Sequence, residues 1–341
     1  MIDLKDLEYG ELCDFLVGLG EAKFHAKQIF SWLSKGVVSF DEMTDISKEL
    51  REKLKKTAYI SRLEIEKKLV SKIDKTTKYL FRLDDGNCIE SVVMYYKHGI
   101  TICVSSQVGC RMGCRFCAST IGGRVRNLTS GEILNQIIFA EKDLGERISN
   151  IVIMGIGEPL DNFNNVIKFL HNVNSPNGLN IGYRHISLST CGIVPQIYEL
   201  AKENLPITLS ISLHAPNNAI RDSIMPINNK YKIEELIKAC KDYLDTTKRR
   251  ISFEYALISG VNDRAENADE LSRLLSGMLC HVNLIPVNSI EERDYVSGDK
   301  NNIRNFCERL LKNGINATVR RELGRDINAS CGQLRRNSTK K

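Results

Sequence analysis

The 341-residue chain has no apolar run approaching the ~20 residues that a membrane-spanning helix needs. Its opening residues, Met1-Ile2-Asp3-Leu4-Lys5-Asp6, hold neither a basic stretch nor an apolar one. A secretory signal is therefore not expected, and a cytoplasmic protein without a membrane partner is. Internal repeats of fixed period are missing, as is any low-complexity tract beyond a basic tail. Disorder is excluded by composition, with 42% hydrophobic and 26% charged residues. A strong charge of either sign is lacking too. Lys and Arg (48) exceed Asp and Glu (42) by six, and Arg335, Arg336, Lys340 and Lys341 supply four of those six. A nearly balanced body is compatible with a nucleic-acid partner without arguing for one. The length suits one large domain with a smaller attachment.

The eleven cysteines also lack something: the even, regular spacing of a disulfide scaffold. In a cytoplasmic chain they are expected to be reduced, so clustered ones point to metal or catalysis. Cys13, Cys191, Cys240, Cys280 and Cys307 stand in apolar or helical contexts and read as core packing, since a free cysteine behaves as a small hydrophobe.

Residues 1 to 57 read as a helical N-terminal domain, with Ala26, Ile29, Phe30 and Leu33 on one apolar face and Leu50 and Leu54 continuing the pattern. The period then falls to two. Tyr79, Phe81 and Leu83 precede Asp84-Asp85-Gly86-Asn87, and Ile89, Ser91, Val93 and Tyr95 follow, so residues 58–99 are expected to carry a β-hairpin. From residue 100 to 325, six strand candidates (101–105, 150–154, 184–189, 207–213, 250–255 and 281–286) alternate with helix candidates (130–144, 163–173, 233–244 and 265–275) before a last helix at 301–313. This is an α/β pattern with a parallel sheet, curved or wound as a barrel, whose chemistry belongs at the C-terminal strand ends. Residues 326–341 form a C-terminal segment with the basic tail.

The first of these strands runs into Cys110-Arg111-Met112-Gly113-Cys114-Arg115-Phe116-Cys117, three thiols on a loop with Gly109 and Gly113, where missing side chains let backbone wrap a cofactor. Iron–sulfur clusters are normally held by four cysteines. A Cys-x3-Cys-x2-Cys loop gives three and leaves one iron open. Zinc is the alternative, but it needs a fourth ligand, and neither a second Cys-x2-Cys nor a His-rich pair lies nearby. The second strand ends in Gly155-Ile156-Gly157-Glu158-Pro159; Leu160 stands where a dinucleotide fingerprint needs its third glycine. Ser189, Ser212, His214 and Asn288 fall at or just past later strand ends, where they can cap loops or meet a ligand.

The cluster loop after the first strand of a six-stranded partial barrel resembles the signature of radical S-adenosylmethionine (SAM) enzymes. That resemblance implies a partial (β/α)6 barrel and one [4Fe–4S] cluster on Cys110, Cys114 and Cys117. It also implies SAM bound by Gly157, Glu158, Ser189, Ser212, Leu213, His214 and Asn288. Three further segments narrow the likeness: Cys103-Val104-Ser105-Ser106-Gln107; Ser212-Leu213-His214-Ala215-Pro216 with Met225-Pro226-Ile227-Asn228; and Gly324-Arg325-Asp326-Ile327-Asn328-Ala329-Ser330-Cys331-Gly332-Gln333-Leu334. With these the chain is similar throughout to bacterial methyltransferases that modify C2 of adenine in 23S rRNA (adenine 2503) and tRNA (adenine 37).

Adenine C2 has no lone pair to attack a sulfonium, and the resemblance implies a detour using two SAM molecules per turnover. Cys331 takes a methyl from the first. Cleavage of the second gives a radical that removes a hydrogen from that methyl, and the carbon then adds to C2. Cys103 resolves the protein–RNA thioether through a transient disulfide with Cys331. Glu90, in Cys88-Ile89-Glu90-Ser91-Val92, matches the base that accepts the C2 proton; by parity with Val92 and Met94 it also suits a solvated strand face. An external flavodoxin- or ferredoxin-type electron donor and a monomeric state are expected. A C8-specific rRNA methyltransferase and a non-catalytic iron–sulfur or zinc RNA-binding protein are the competing functions. Arg124, Arg126, Arg320, Arg321, Arg335 and Arg336 are candidates for RNA phosphates, and an unstacked base is the expected target.

Overall fold

The computed structural model describes residues 1–290 and 292–334. Helices α1 (Tyr9–Gly18), α2 (His25–Ser34) and α3 (Lys48–Thr57) enclose a small core of their own. Ala26, Ile29, Phe30, Leu33, Leu50 and Leu54 are all buried in it, as the helical period requires. This unit is tied to the rest by a buried lysine. Lys5 Nζ donates to the Ser61 carbonyl at 3.0 Å and to Asn135 Oδ1 at 2.7 Å. Burial lowers its pKa to about 8.

The rest is built on one ten-stranded sheet, with a short antiparallel ribbon of Gln107–Gly109 and Arg124–Asn127 flanking the three-cysteine loop. The sheet's strands are β1 (Glu64–Val70), β2 (Thr77–Arg82), β3 (Cys88–Tyr96), β4 (Gly99–Cys103), β5 (Asn150–Ile153), β6 (Ile186–Thr190), β7 (Thr208–Ser212), β8 (Ile251–Leu257), β9 (Cys280–Pro286) and β10 (Ala317–Val319). Their order in the sheet follows the chain, from β1 at one edge to β10 at the other. Strands β4 to β10 run parallel, and β1 to β4 pair antiparallel. The expected hairpin exists, with Tyr79 opposite Ser91 and Phe81 opposite Ile89. It has a third strand, β1, and β3 pairs directly with β4, so the hairpin is an extension of the barrel sheet. Strand β10 and helices Val194–Lys202 and Asn218–Ile224 were not among the expected elements; each is short, with few residues from which a period can emerge.

The six expected strands appear with ends shifted by a residue or two. Helix α4 (Ser130–Leu144) follows β4, opened by Thr129 and Glu132 in a reciprocal cap and closed by Gly145 at φ 68°. Along β6 to β9 the residues alternate. Leu188, Ile211, Phe253 and Val282 point into the helix-covered core, while Ser189, Ser212, Glu254 and Asn283 lie on the other face. Parallel strands covered on both faces read as continuous apolar runs. Here one face is polar and concave, and it is the face left for ligand.

A cysteine-lined candidate active site

At the C-terminal strand ends, Cys110, Cys114 and Cys117 line one cavity with Gly157, Glu158, Ser189, Ser212, His214, Asn288 and Cys331. The three-cysteine loop can turn as it does because Gly109 (φ 75°) carries no Cβ; one there would lie 2.0 Å from the Gly123 carbonyl oxygen. Burial raises the pKa of all three thiols, that of Cys110 to about 12; neighbouring loop cysteines add to the shift of Cys110 and Cys114, and Cys331 adds to that of Cys117. Such a trio is costly as thiolates and is relieved by positive charge, so the donor set fits a cluster bound as three thiolate sulfurs. Among the described residues no three His, Cys, Asp or Glu side chains converge as a single metal ion would need, and that compact grouping is what zinc favours.

Glu158 is oriented by backbone amides. Its Oε1 accepts from Leu160 N at 3.0 Å and its Oε2 from Cys191 N at 2.8 Å, and burial raises its pKa. Gly157 (φ 109°) lets that turn lie against Gln107, whose backbone nitrogen would be 2.8 Å from an added Cβ. Ser189 and Ser212 Oγ atoms are 3.3 Å apart on neighbouring strands. His214 adopts φ 56° and receives Ala256 N–H on Nδ1 at 2.9 Å. Its proton therefore sits on Nε2 when the ring is neutral. Burial, then Arg221, lowers its pKa to about 3.

The sign of the resulting pH effect follows. The unfolded chain binds a proton near pH 6.5 that the folded chain refuses down to about 3. Stability from this group is thus intact above 6.5 and falls as pH drops through that window, by up to about 1.4 kcal/mol per pH unit. Denaturant midpoints of wild type and His214→Asn are expected to converge between pH 7.5 and 5.5; a constant gap would refute this assignment.

Leu213 is the exception among the expected SAM-binding residues. Its side chain is fully buried in the core, and its carbonyl accepts from Arg221 Nε at 3.1 Å. Asn288 turns its amide onto the Cys331 carbonyl at 3.0 Å. Cys191, expected as simple packing, lines the cavity and supplies the amide that holds Glu158. Cys103 and Cys331, both free thiols, line an adjoining cavity with Val92, Met94 and Arg320. Burial, then the nearness of Cys331, pushes the Cys103 pKa up to about 12, while Arg320 opposes the rise. The Cys331 segment is clamped from two sides. Ala118 N donates to the Gly332 carbonyl at 2.8 Å, and Asp326 accepts from Ser71 Oγ at 2.7 Å and Lys72 N at 2.9 Å. Glu90 is buried, not on a solvated face.

The arginines sort by their partners. Arg124 is bound to Asp161 at 2.7 Å, and Arg126 bridges Glu132 (2.7 Å) and Asp85 (2.6 Å), so neither is an unengaged phosphate ligand. Arg320 lies inside the cavities, 3.9 Å from Glu254. Arg321 is exposed; Arg335 and Arg336 fall outside the described residues.

Comparison with known proteins agrees with this geometry. The Radical SAM superfamily matches residues 104–271, and the ribosomal RNA large subunit methyltransferase N-terminal domain matches residues 2–60. A "Probable dual-specificity RNA methyltransferase RlmN" of Clostridium novyi is 59% identical over 99% of this chain and 98% of the relative. The chain belongs to the RlmN family of radical SAM RNA methyltransferases. A second RlmN relative, from Clostridium tetani, is 58% identical over 100% of this chain and 97% of its own length. The crystal structure of a radical SAM methyltransferase from Sphaerobacter thermophilus superposes with a TM-score of 0.94 at 42% identity, covering 99% of this chain and all of that one. RlmN family membership makes this an iron–sulfur, SAM-dependent enzyme acting on RNA. Among the described residues no helix is long and apolar enough to cross a membrane.

Proposed function

We propose that the enzyme methylates C2 of adenine 2503 in 23S rRNA and adenine 37 in tRNA, with Cys331 as methyl carrier, Cys103 as resolving thiol and Glu90 as proton acceptor. What supports the reading is one observation: both free thiols line a cavity that adjoins the three-cysteine loop through Cys331 itself. A [4Fe–4S] cluster on Cys110, Cys114 and Cys117 supplies one-electron cleavage of SAM. Glu158 and the Ser189–Ser212 pair hold SAM, and two molecules are used per turnover.

The chain's own residues do the rest. Cys331 Sγ takes the first methyl group and, after losing one of its hydrogens, the methyl carbon bonds to C2. Glu90 accepts the C2 proton, the C–H electron pair stays in the ring, and the ring radical gives up one electron, equal to the one the external donor supplied for SAM cleavage. Cys103 Sγ then attacks Cys331 Sγ. The S–C bond breaks, its pair goes to carbon, and that carbon takes a proton to become methyl. The disulfide left behind needs a dithiol reductant before the next cycle. With its high pKa, Cys103 rests as a thiol and must lose its proton before attack, which keeps it from reacting early. A flavodoxin- or ferredoxin-type donor and a monomeric enzyme complete the reading.

The decisive experiment reconstitutes the cluster anaerobically and supplies SAM, dithionite and transcribed 23S rRNA fragment or tRNA. The expected products are 5′-deoxyadenosine, S-adenosylhomocysteine and 2-methyladenosine in both RNAs. Mass spectrometry showing 8-methyladenosine would overturn the C2 assignment, and RNA binding without 5′-deoxyadenosine would overturn catalysis.

A further inference from the structure

Strand β2 alternates: Tyr79 and Phe81 enter the helix-covered core, and Lys78 and Leu80 take the other face. A lysine there is unusual, because its side chain is only 11% exposed. Its ammonium is engaged on two sides. Lys78 Nζ lies 3.0 Å from Glu90 Oε1, whose side chain is 1% exposed, and it donates to the Asn328 carbonyl at 3.1 Å. The contact with Glu90 is diagonal across the β2–β3 ladder, where Lys78 faces Val92 and Leu80 faces Glu90. Val92 in turn faces Cys103 on β4. Asn328 sits at φ 50°, three residues before Cys331. One side chain therefore touches the proposed base and the segment that carries the methyl-bearing sulfur.

A buried ion pair is poor value for stability, since two charges lose water to form it and an apolar pair of equal volume often does as well. Its use lies in geometry. A base that takes a proton from a ring carbon must be ionised, aimed and at fixed reach of the carbon. We infer that Lys78 is a positioning residue: it fixes the Glu90 carboxylate through Oε1 and ties it to the Cys331 segment through Asn328, so that base and thioether share one frame. This rests on the reading of Glu90 as proton acceptor. In the step it serves, the C2–H bond breaks, the proton passes to the Glu90 carboxylate and the pair stays in the ring.

The test separates the steps before and after the covalent adduct. Full-length, cluster-reconstituted enzyme would be given SAM, dithionite and a transcribed 23S rRNA fragment. Readouts are 5′-deoxyadenosine, S-methylation of Cys331, protein–RNA adduct on denaturing gels, and free methylated RNA. Lys78→Met is expected to keep the first two within about two-fold of wild type. It should accumulate adduct and release product slower by on the order of 10-fold or more, and Lys78→Arg should recover much of that rate. Normal release by Lys78→Met while Glu90→Gln stalls would overturn the role of Lys78 and leave that of Glu90 standing. Equal loss of 5′-deoxyadenosine, adduct and product in Lys78→Met would also overturn it, as the mark of a merely structural lysine. Normal release by Glu90→Gln would instead remove the base, and the inference with it.

Discussion

Cys103→Ala is expected to leave the enzyme covalently joined to its RNA. The alanine cannot attack Cys331 sulfur, so the thioether formed in the first half of the cycle has no exit. The site should otherwise assemble. Cys103 is 7% exposed and packs with Val92, Met94 and Ile156, and a smaller residue there opens a modest gap of about 1–2 kcal/mol. SAM cleavage should therefore persist for a single round, with 5′-deoxyadenosine near one equivalent and a band of protein plus RNA on a denaturing gel. Multiple turnovers without that band would refute the two-cysteine cycle. Cys331→Ala gives the complementary outcome, with no adduct and no methylated RNA.

The second large effect concerns a residue that lines neither cavity. Arg221 is fully buried and spends its guanidinium on the ends of two strands. Nε donates to Leu213 O at 3.1 Å, Nη2 to Cys191 O at 2.7 Å and Ser212 O at 3.3 Å, and Nη1 to Asn228 Oδ1 at 3.1 Å. Through Cys191, whose N–H holds Glu158, it orients an acid of the cavity; through Leu213 it holds the turn leading to His214. Arg221→Met fills the volume and strands those carbonyls, at about 1–3 kcal/mol for each one left buried without a donor. A loss of roughly 3 kcal/mol in unfolding free energy is expected, with SAM affinity falling by 10-fold or more by equilibrium dialysis of the reconstituted enzyme. Unchanged melting and affinity would show that these loops hold themselves. Arg221→Lys, which can satisfy only part of the set, should lie between.

Much of this protein is legible in its sequence, for identifiable reasons. Period-two and helical runs located the strands and most of the helices because each buries a face of its own. Short elements such as Ala317–Val319 and Asn218–Ile224 carry too few residues for a period to emerge. The three-cysteine loop stands out because its thiols are close in sequence. Cys103, Cys331 and Glu90 could be nominated only by resemblance, since the topology that gathers them is not written locally. Arg221, Lys78 and Cys191 were missed for the same cause. A faint signal existed for Lys78: it shares parity with Leu80 while Tyr79 and Phe81 take the other face, so it had to point where an apolar residue was expected. Arg124 and Arg126 show the reverse error, because their acidic partners Asp161, Glu132 and Asp85 make them internal ties. Leu213 kept its place in the motif but contributes backbone, not side chain.

The continuous ladder from β2 through β3 to β4 also limits how this protein can vary over evolutionary time. Lys78, Val92 and Cys103 lie in one rank across three strands, with Glu90 two residues along. Side chains alternate faces along a strand, so inserting or deleting a single residue within Cys88–Tyr96 would send Glu90 under the helices and put Ser91 or Ile89 on the face that Glu90 now shares with Val92. Length changes at the Asp84–Asn87 turn leave the rank untouched. Among descendants of this sequence, that turn should therefore tolerate length changes that keep the Asp85 tie to Arg126, while the strands beside it accept substitutions but no odd-numbered indels.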